Sequence, residues 1–208
     1  MIDEIKNGWD NIMTDTARHI KLDSFLVSKD QVFNVMYPRV TDKLDLKGKI
    51  IIDYGCGGGW LGKYFQEKNL GIKEYIGFDV SQKSIKAAKE NNPKSKIIEV
   101  KKDKINFKKY NADIFICQYV IQHFPNKEYL DGFLDSLNKS NIPILALMIR
   151  YSPKNIFSKN YKTFNNIRMS CQTSAEYMLE ILTNYKKTYD SGLIGNVGNR
   201  YYIFGLKK

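Results

Sequence analysis

The stretch Ile50-Ile51-Ile52-Asp53-Tyr54-Gly55-Cys56-Gly57-Gly58-Gly59-Trp60-Leu61-Gly62 leaves the chain around it few choices. Three consecutive β-branched isoleucines suit a buried strand rather than a solvated loop. The glycines end that strand, and without a Cβ they let the backbone turn sharply and come close to a bound molecule. Residues 60–68 behind them are predicted to be helical, with first-turn amides that have no partner inside the helix. Strand, glycine loop and helix in this order open an α/β sheet whose ligands collect at the carboxyl ends of the strands.

Gly57 to Gly62 satisfies G-x-G-x-x-G, which on its own points to a dinucleotide and a nicotinamide-dependent oxidoreductase. Asp53 argues for a different ligand. A carboxylate at the strand tip, two residues before Gly55, repels a diphosphate and attracts a cation. With an effective dielectric of about 20, such a contact is worth roughly a few kcal/mol before desolvation. The ligand is therefore expected to carry positive charge beside the loop.

The segment Asp53 to Gly59 reads D-x-G-C-G-x-G after an aliphatic strand and resembles the first motif of the class I S-adenosylmethionine-dependent methyltransferases. Their cofactor carries an ammonium and a sulfonium, in keeping with the charge argument. Tyr75-Ile76-Gly77-Phe78-Asp79-Val80-Ser81 is similar to the family's second element, a strand closed by an acid. Asp79 stands 22 residues after Gly57, near the spacing of about 20 at which a carboxylate reaches ribose hydroxyls. The resemblance implies S-adenosyl-L-methionine as cofactor, with Asp53, Gly55, Cys56, Gly57 and Gly59 around its methionine and sulfonium. It implies Asp79, with Val80 beside it, on the ribose, Asp103 near adenine, and Gln118 in a segment passing the methionine end. Read from the residues alone, Asp79 also suits a cap for a helix starting near Ser81, and Asp103 a turn.

Residues 2–36 read as interrupted helix: Ile5, Trp9, Ile12 and Met13 recur at helical spacing, as do Phe25, Val32, Phe33 and Met36. In the resembled family such an extension covers the cofactor, which makes Trp9, Arg18, His19 and Tyr37 candidates for a lid over residues 1–47; packing on the body of the domain is the other reading of Trp9. From residue 48 strands and helices alternate: a helix at 81–91 capped by Ser81, a strand at 96–101, a strand at 112–120, a helix at 127–139 and a strand at 142–151. Residues 152–171 have no clean period and suggest an acceptor loop with short helical pieces. A helix over 173–185 and a hairpin of 187–194 with 201–206 close the chain. The expected fold is α/β: one three-layer, doubly wound domain of residues 1–208. The resemblance implies about seven strands in its mostly parallel sheet, with the C-terminal hairpin antiparallel.

Methyl transfer from a sulfonium is an in-line displacement, to which a protein contributes mainly alignment and desolvation. An oxygen acceptor also needs a base. His123, just past the fourth strand, is the candidate, with a turn-capping or cofactor-shielding role as the other reading. Tyr119, Arg150 and Tyr151 are candidates for meeting the acceptor, Arg150 in particular if the acceptor is anionic. Cys117-Gln118-Tyr119-Val120 lacks the Pro-Pro-aromatic signature of nucleobase amine methylation, and Cys117 is not followed by proline as a C5-pyrimidine nucleophile would be. No His/Cys/acid cluster has metal-ligand spacing. By exclusion, a small polar acceptor is expected: a sugar, a nucleotide-linked sugar or another metabolite.

The net charge of +11 raises nucleic acid as a partner. Lysines far outnumber arginines and are scattered among acids, as on a solvated surface, so nucleic acid is the less favoured partner. An RNA-binding or regulatory protein with a retained pocket is the competing reading from outside the enzymes. The longest apolar run, Ile144 to Ile149, is too short to cross a bilayer. Without a secretory pattern in the first residues or paired cysteine spacing, a soluble cytoplasmic protein is expected.

Overall fold

In the computed structural model Ile50–Tyr54 forms strand β1, with Ile51 and Ile52 fully buried, as in a strand covered on both faces. The structure describes all residues except 1, 13–19, 23–24, 102–104, 158–170 and 195–197. They fall into two compact units, Met1–Lys101 and Lys102–Lys208.

In the first unit, helix α1 (Ile2–Ile12) precedes β1. After the glycine loop come α2 (Trp60–Glu67), β2 (Glu74–Asp79), α3 (Gln82–Asn91) and β3 (Lys96–Glu99). β2 runs parallel to β1 with Asp53 opposite Gly77, and β3 parallel to β2 with Glu99 opposite Asp79. The α3 helix begins as expected, the Ser81 hydroxyl accepting from the Ser84 amide at 3.2 Å. The segment before β1 differs from the helical reading: Ile20–Leu22 and Phe25–Val27 pair as antiparallel strands. Ile20-Lys21-Leu22 alternates with a period of two and Phe25-Leu26-Val27 is a short run of β-branched, aromatic and aliphatic residues, both strand patterns over a few residues that the longer helical spacing hides. A π-turn follows at Val32–Met36, closed by the Tyr37 amide on the Val32 carbonyl at 2.9 Å.

The second unit holds β4 (Ile114–Cys117), α4 (Lys127–Asn138), β5 (Ile144–Arg150), α5 (Ala175–Ile181), β6 (Tyr185–Ile194) and β7 (Asn199–Leu206). β4 and β5 are parallel, while β7 runs antiparallel to both β5 and β6. β4 is shorter than expected because Tyr119 adopts a left-handed backbone, φ +56°, which ends the extended run. The α5 helix is capped by Ser174 and ends at Ile181, shorter than the expected 173–185. The segment after β5 opens and closes with a strand pair, Ile156–Phe157 against Cys171–Gln172, where helical pieces were expected; its remainder lies outside the described residues. The hairpin is present as read. The fold is the expected α/β class: a mostly parallel seven-stranded sheet, flanked by helices and closed by antiparallel strands.

Gly62, inside α2, shows how tightly this frame is packed. A Cβ there would lie 2.4 Å from Asn92 Oδ1 and 2.6 Å from the Tyr75 ring. Alanine would gain about 1 kcal/mol of helix propensity, but overpacking a buried site costs about 1–3 kcal/mol. Gly62→Ala should therefore lower stability in denaturant unfolding; an unchanged or higher midpoint would contradict this packing.

Candidate functional site

The glycine loop is held from outside itself. The amides of Gly55 and Cys56 both donate to the Phe78 carbonyl on β2, at 2.7 and 2.9 Å. The side-chain amides of Asn91 and Asn92, at the end of α3, donate to the carbonyls of Gly58 and Gly59, each at 2.8 Å. Gly57 and Gly59 have φ of +52° and +75°, where a side chain is strained. The two are glycine for different spatial reasons. A Cβ on Gly59 would strike Asn92 Nδ2 at 2.4 Å, whereas one on Gly57 would meet nothing within 4 Å. Open space thus faces the loop at Gly57, and α2 starts beside it without a side-chain cap.

Two carboxylates flank that loop. Asp53 is 5% exposed, and the buried Tyr75 hydroxyl donates to its Oδ2 at 2.6 Å. The register explains the contact: Tyr75 stands opposite Ile51 and Gly77 opposite Asp53, so Tyr75 and Asp53 are diagonal neighbours on one face of the sheet. Asp79 accepts from the Gly57 amide at 2.8 Å and the Ser81 amide at 2.9 Å. Burial pushes the Asp53 carboxyl up to about 7, against the Tyr75 bond and with help from the Asp79 charge. Burial likewise pushes Asp79 up to about 6, against the amides of Ser81, Gly57 and Val80. Among the described residues neither carboxylate has an ion-pair partner.

The sign follows from linkage. Carboxyls held above their unfolded value of 3.8 favour the fold where they are protonated, and that contribution is lost as pH rises through about 6 to 7. A bound cation opposes the loss by stabilising the ionised forms.

Of the remaining expected residues in this unit, Cys56 is buried against β2: its Sγ would lie 2.9 Å from a Cβ on Gly77, and burial and the two aspartates push its thiol up. Asp79 is not the helix cap, since Ser81 fills that place. Tyr37 joins an aromatic cluster with Phe33 and Tyr64, at ring separations of 5.8 and 5.2 Å. Half-buried Trp9 lies on α1, whose Asp10 accepts from the Ser81 hydroxyl at 2.6 Å and whose Lys6 pairs with Glu99 at 2.6 Å. Arg18, His19 and Asp103 lie outside the described residues.

In the second unit the expected residues cluster at the carboxyl ends of β4 and β5. Gln118 follows β4, and its Nε2 is buried without a hydrogen-bond partner among the described residues. Tyr119 is the left-handed residue noted above. His123, 4% exposed, closes a single 3₁₀ turn with buried Ile121 and Gln122. Arg150 ends β5. Tyr151 is already engaged, with the Arg200 guanidinium 4.1 Å above its ring. No group of acids, histidines and cysteines among the described residues has metal-binding geometry.

Tyr75, Asn91, Asn92, Asp10 and Arg200 were not singled out from the sequence. Tyr75 had a signal, an aromatic hydroxyl two residues before a glycine on the neighbouring strand, but only a known register makes it meaningful. The asparagines act across 33 residues, beyond the reach of any local pattern.

Open space at Gly57 and two unpaired carboxylates suit a ligand bearing an ammonium and a sulfonium, and would oppose a diphosphate. Comparison with known proteins agrees. The family model described as Methyltransferase domain matches residues 45–194. A ribosomal protein L11 methyltransferase of Tolumonas auensis is 29% identical over 137 residues, covering 64% of this chain and 45% of that protein. One from Hamiltonella defensa is 40% identical over 58 residues, 28% of this chain and 18% of that protein. The chain thus spans less than half the length of these curated relatives. Among solved structures, a SAM-dependent methyltransferase from Anabaena variabilis superposes with a TM-score of 0.68 at 11% identity, covering 98% of this chain and 95% of that one. Magnesium protoporphyrin IX methyltransferase from Synechocystis, solved with bound SAH, superposes with 0.61 at 16% identity, covering 97% and 94%. The nicotinamide reading of the glycine loop falls, and the chain belongs to the methyltransferase-domain family, with S-adenosylmethionine as its cofactor.

Proposed function

We propose that this methyltransferase modifies a small polar acceptor, a sugar, nucleotide-linked sugar or other metabolite, at oxygen or nitrogen. When bound, the cofactor supplies a methyl group on a sulfonium, open to in-line displacement. Asp53 and the loop from Gly55 to Gly59 hold its methionine end, and Asp79 accepts from the ribose hydroxyls with lone pairs left over from Gly57 and Ser81. Asp103 and Gln118 complete the cofactor's surroundings in this reading. The observation that carries it is the pair of carboxylates without ion-pair partners beside an open glycine loop.

His123 is proposed as the base for a hydroxyl acceptor; it is the one histidine among the described residues. Arg150, Tyr119 and Tyr151 are proposed on the acceptor side. Three buried free cysteines suit a reducing compartment, and work in the cytoplasm is part of the proposal. No described helix is long and apolar enough to cross a membrane.

A second reading, a protein acceptor, is favoured by the relatives named for methylating ribosomal protein L11. Cell extract incubated with the enzyme and methyl-labelled cofactor, then divided by ultrafiltration, separates the two. Label in the filtrate is expected, and label confined to retained protein would replace the small acceptor with the second reading.

Two variants test the residue roles. Asp79→Ala should weaken cofactor binding in calorimetry by about 1–3 kcal/mol through loss of charged hydrogen bonds; unchanged affinity would remove Asp79 from the ribose. His123→Ala should lower turnover about 100-fold or more with cofactor affinity nearly intact. A change of a few-fold would make His123 a scaffold residue.

A further inference from the structure

The carboxyl end of β5 carries two arginines in contrasting states. Arg200, on β7, stacks on Tyr151 and lies 3.5 Å from Asp190 Oδ2, so its charge is accounted for inside the protein. Arg150 is half-buried, and its guanidinium makes no hydrogen bond or ion pair among the described residues. Alternation along the strands separates the two. Arg200 is registered opposite Ile149, whereas Arg150 is directly opposite Asn199 and shares the other face with it.

Asn199 is the second observation. It is 4% exposed, and its Oδ1 is buried with no hydrogen-bond partner among the described residues. A buried amide oxygen normally finds a donor. Directly opposed side chains of an antiparallel pair have Cβ atoms roughly 5 Å apart. Even so, the neighbouring guanidinium does not satisfy this oxygen. A five-donor cation and a bare acceptor therefore stand side by side, each lacking a partner among the described residues, at the strand edge where ligands of open α/β sheets bind.

We infer that Arg150 and Asn199 form an acceptor subsite for a small molecule bearing a carboxylate or phosphate with an N–H or O–H donor beside it. The guanidinium fork takes the anionic oxygens, and Asn199 Oδ1 accepts from the adjacent donor. This deepens the small-acceptor reading and rests on it. A neutral sugar leaves the cation unanswered, and an anion without a donor leaves the amide oxygen bare.

The test uses the full chain saturated with S-adenosylhomocysteine and follows the Arg150 Nε–Hε resonance by ¹H–¹⁵N NMR. Acetate, glycolate and inorganic phosphate are titrated in turn. Glycolate, which adds a hydroxyl to the carboxylate, should bind about 5–10-fold more tightly than acetate, as one additional hydrogen bond allows. The tighter of glycolate and phosphate identifies the anion class. Asn199→Ala should abolish the glycolate advantage and leave acetate unchanged. Arg150→Met, followed through neighbouring amides, should weaken every anion at least 10-fold, and Arg150→Lys should recover part of the loss. Anion binding that is absent in the wild type, or equal in wild type and Arg150→Met, overturns the subsite. Calorimetry with S-adenosylhomocysteine separates the layers: retained affinity in the variants shows a folded chain, whereas failure of the wild type to bind it would strike the methyltransferase reading instead.

Discussion

An aspartate almost out of contact with water, with a tyrosine hydroxyl as its partner, is the constraint from which the rest of the site follows. The Asp53 carboxyl is displaced from 3.8 to about 7, a penalty on the charged form of roughly 4 kcal/mol at 1.36 kcal/mol per unit. That displacement remains after the Tyr75 bond has drawn the value down, so the bond does not offset the burial. A chain selected for stability alone would place an apolar residue at this strand tip. In the proposed role the carboxylate makes physical sense, as half of an interaction whose other half is a cation brought in from outside.

The frame around that carboxylate fixes its surroundings rather than its charge. Asn92 bonds the Gly59 and Ala88 carbonyls and accepts from Gln66, tying the loop, α3 and α2 together. Gly62 and Gly77 leave room for the Tyr75 ring and the Cys56 thiol. The loop therefore keeps its shape through side chains that reach it from the end of α3. Ser81 joins two roles: its amide donates to Asp79 and its hydroxyl to Asp10 of α1. This ties the N-terminal helix to a residue two places beyond the second carboxylate.

The parts of this arrangement written in local chemistry were legible in the sequence. The isoleucine run, the glycines, the Ser81 cap and the acid ending the second strand each rest on neighbours within a few residues, and each stands where it was read. Ile20–Leu22, Phe25–Val27 and Val32–Met36 misled because two short strands and an irregular helix place apolar residues at intervals that also fit a helical repeat. The end of β4 misled because apolar content continues past Cys117 while the backbone at Tyr119 turns left-handed. Tyr75, Asn92 and the Arg150–Asn199 pair stayed hidden for a different reason. Their partners are set by strand register or by packing between helices, and a residue's type does not reveal what lies across from it.

The most direct measurement is the number of protons released when S-adenosylmethionine binds, obtained by calorimetry at pH 6 in buffers of different ionisation enthalpy. In the free protein Asp53, held near 7, is largely protonated at that pH, and Asp79, near 6, is partly so. A cation that draws both into their ionised forms must expel protons. The account predicts net release, about one proton per cofactor, fading as pH rises above 8. Zero exchange at pH 6, or net uptake, would show that the buried carboxylate does not answer the charge of the ligand and would contradict the central claim.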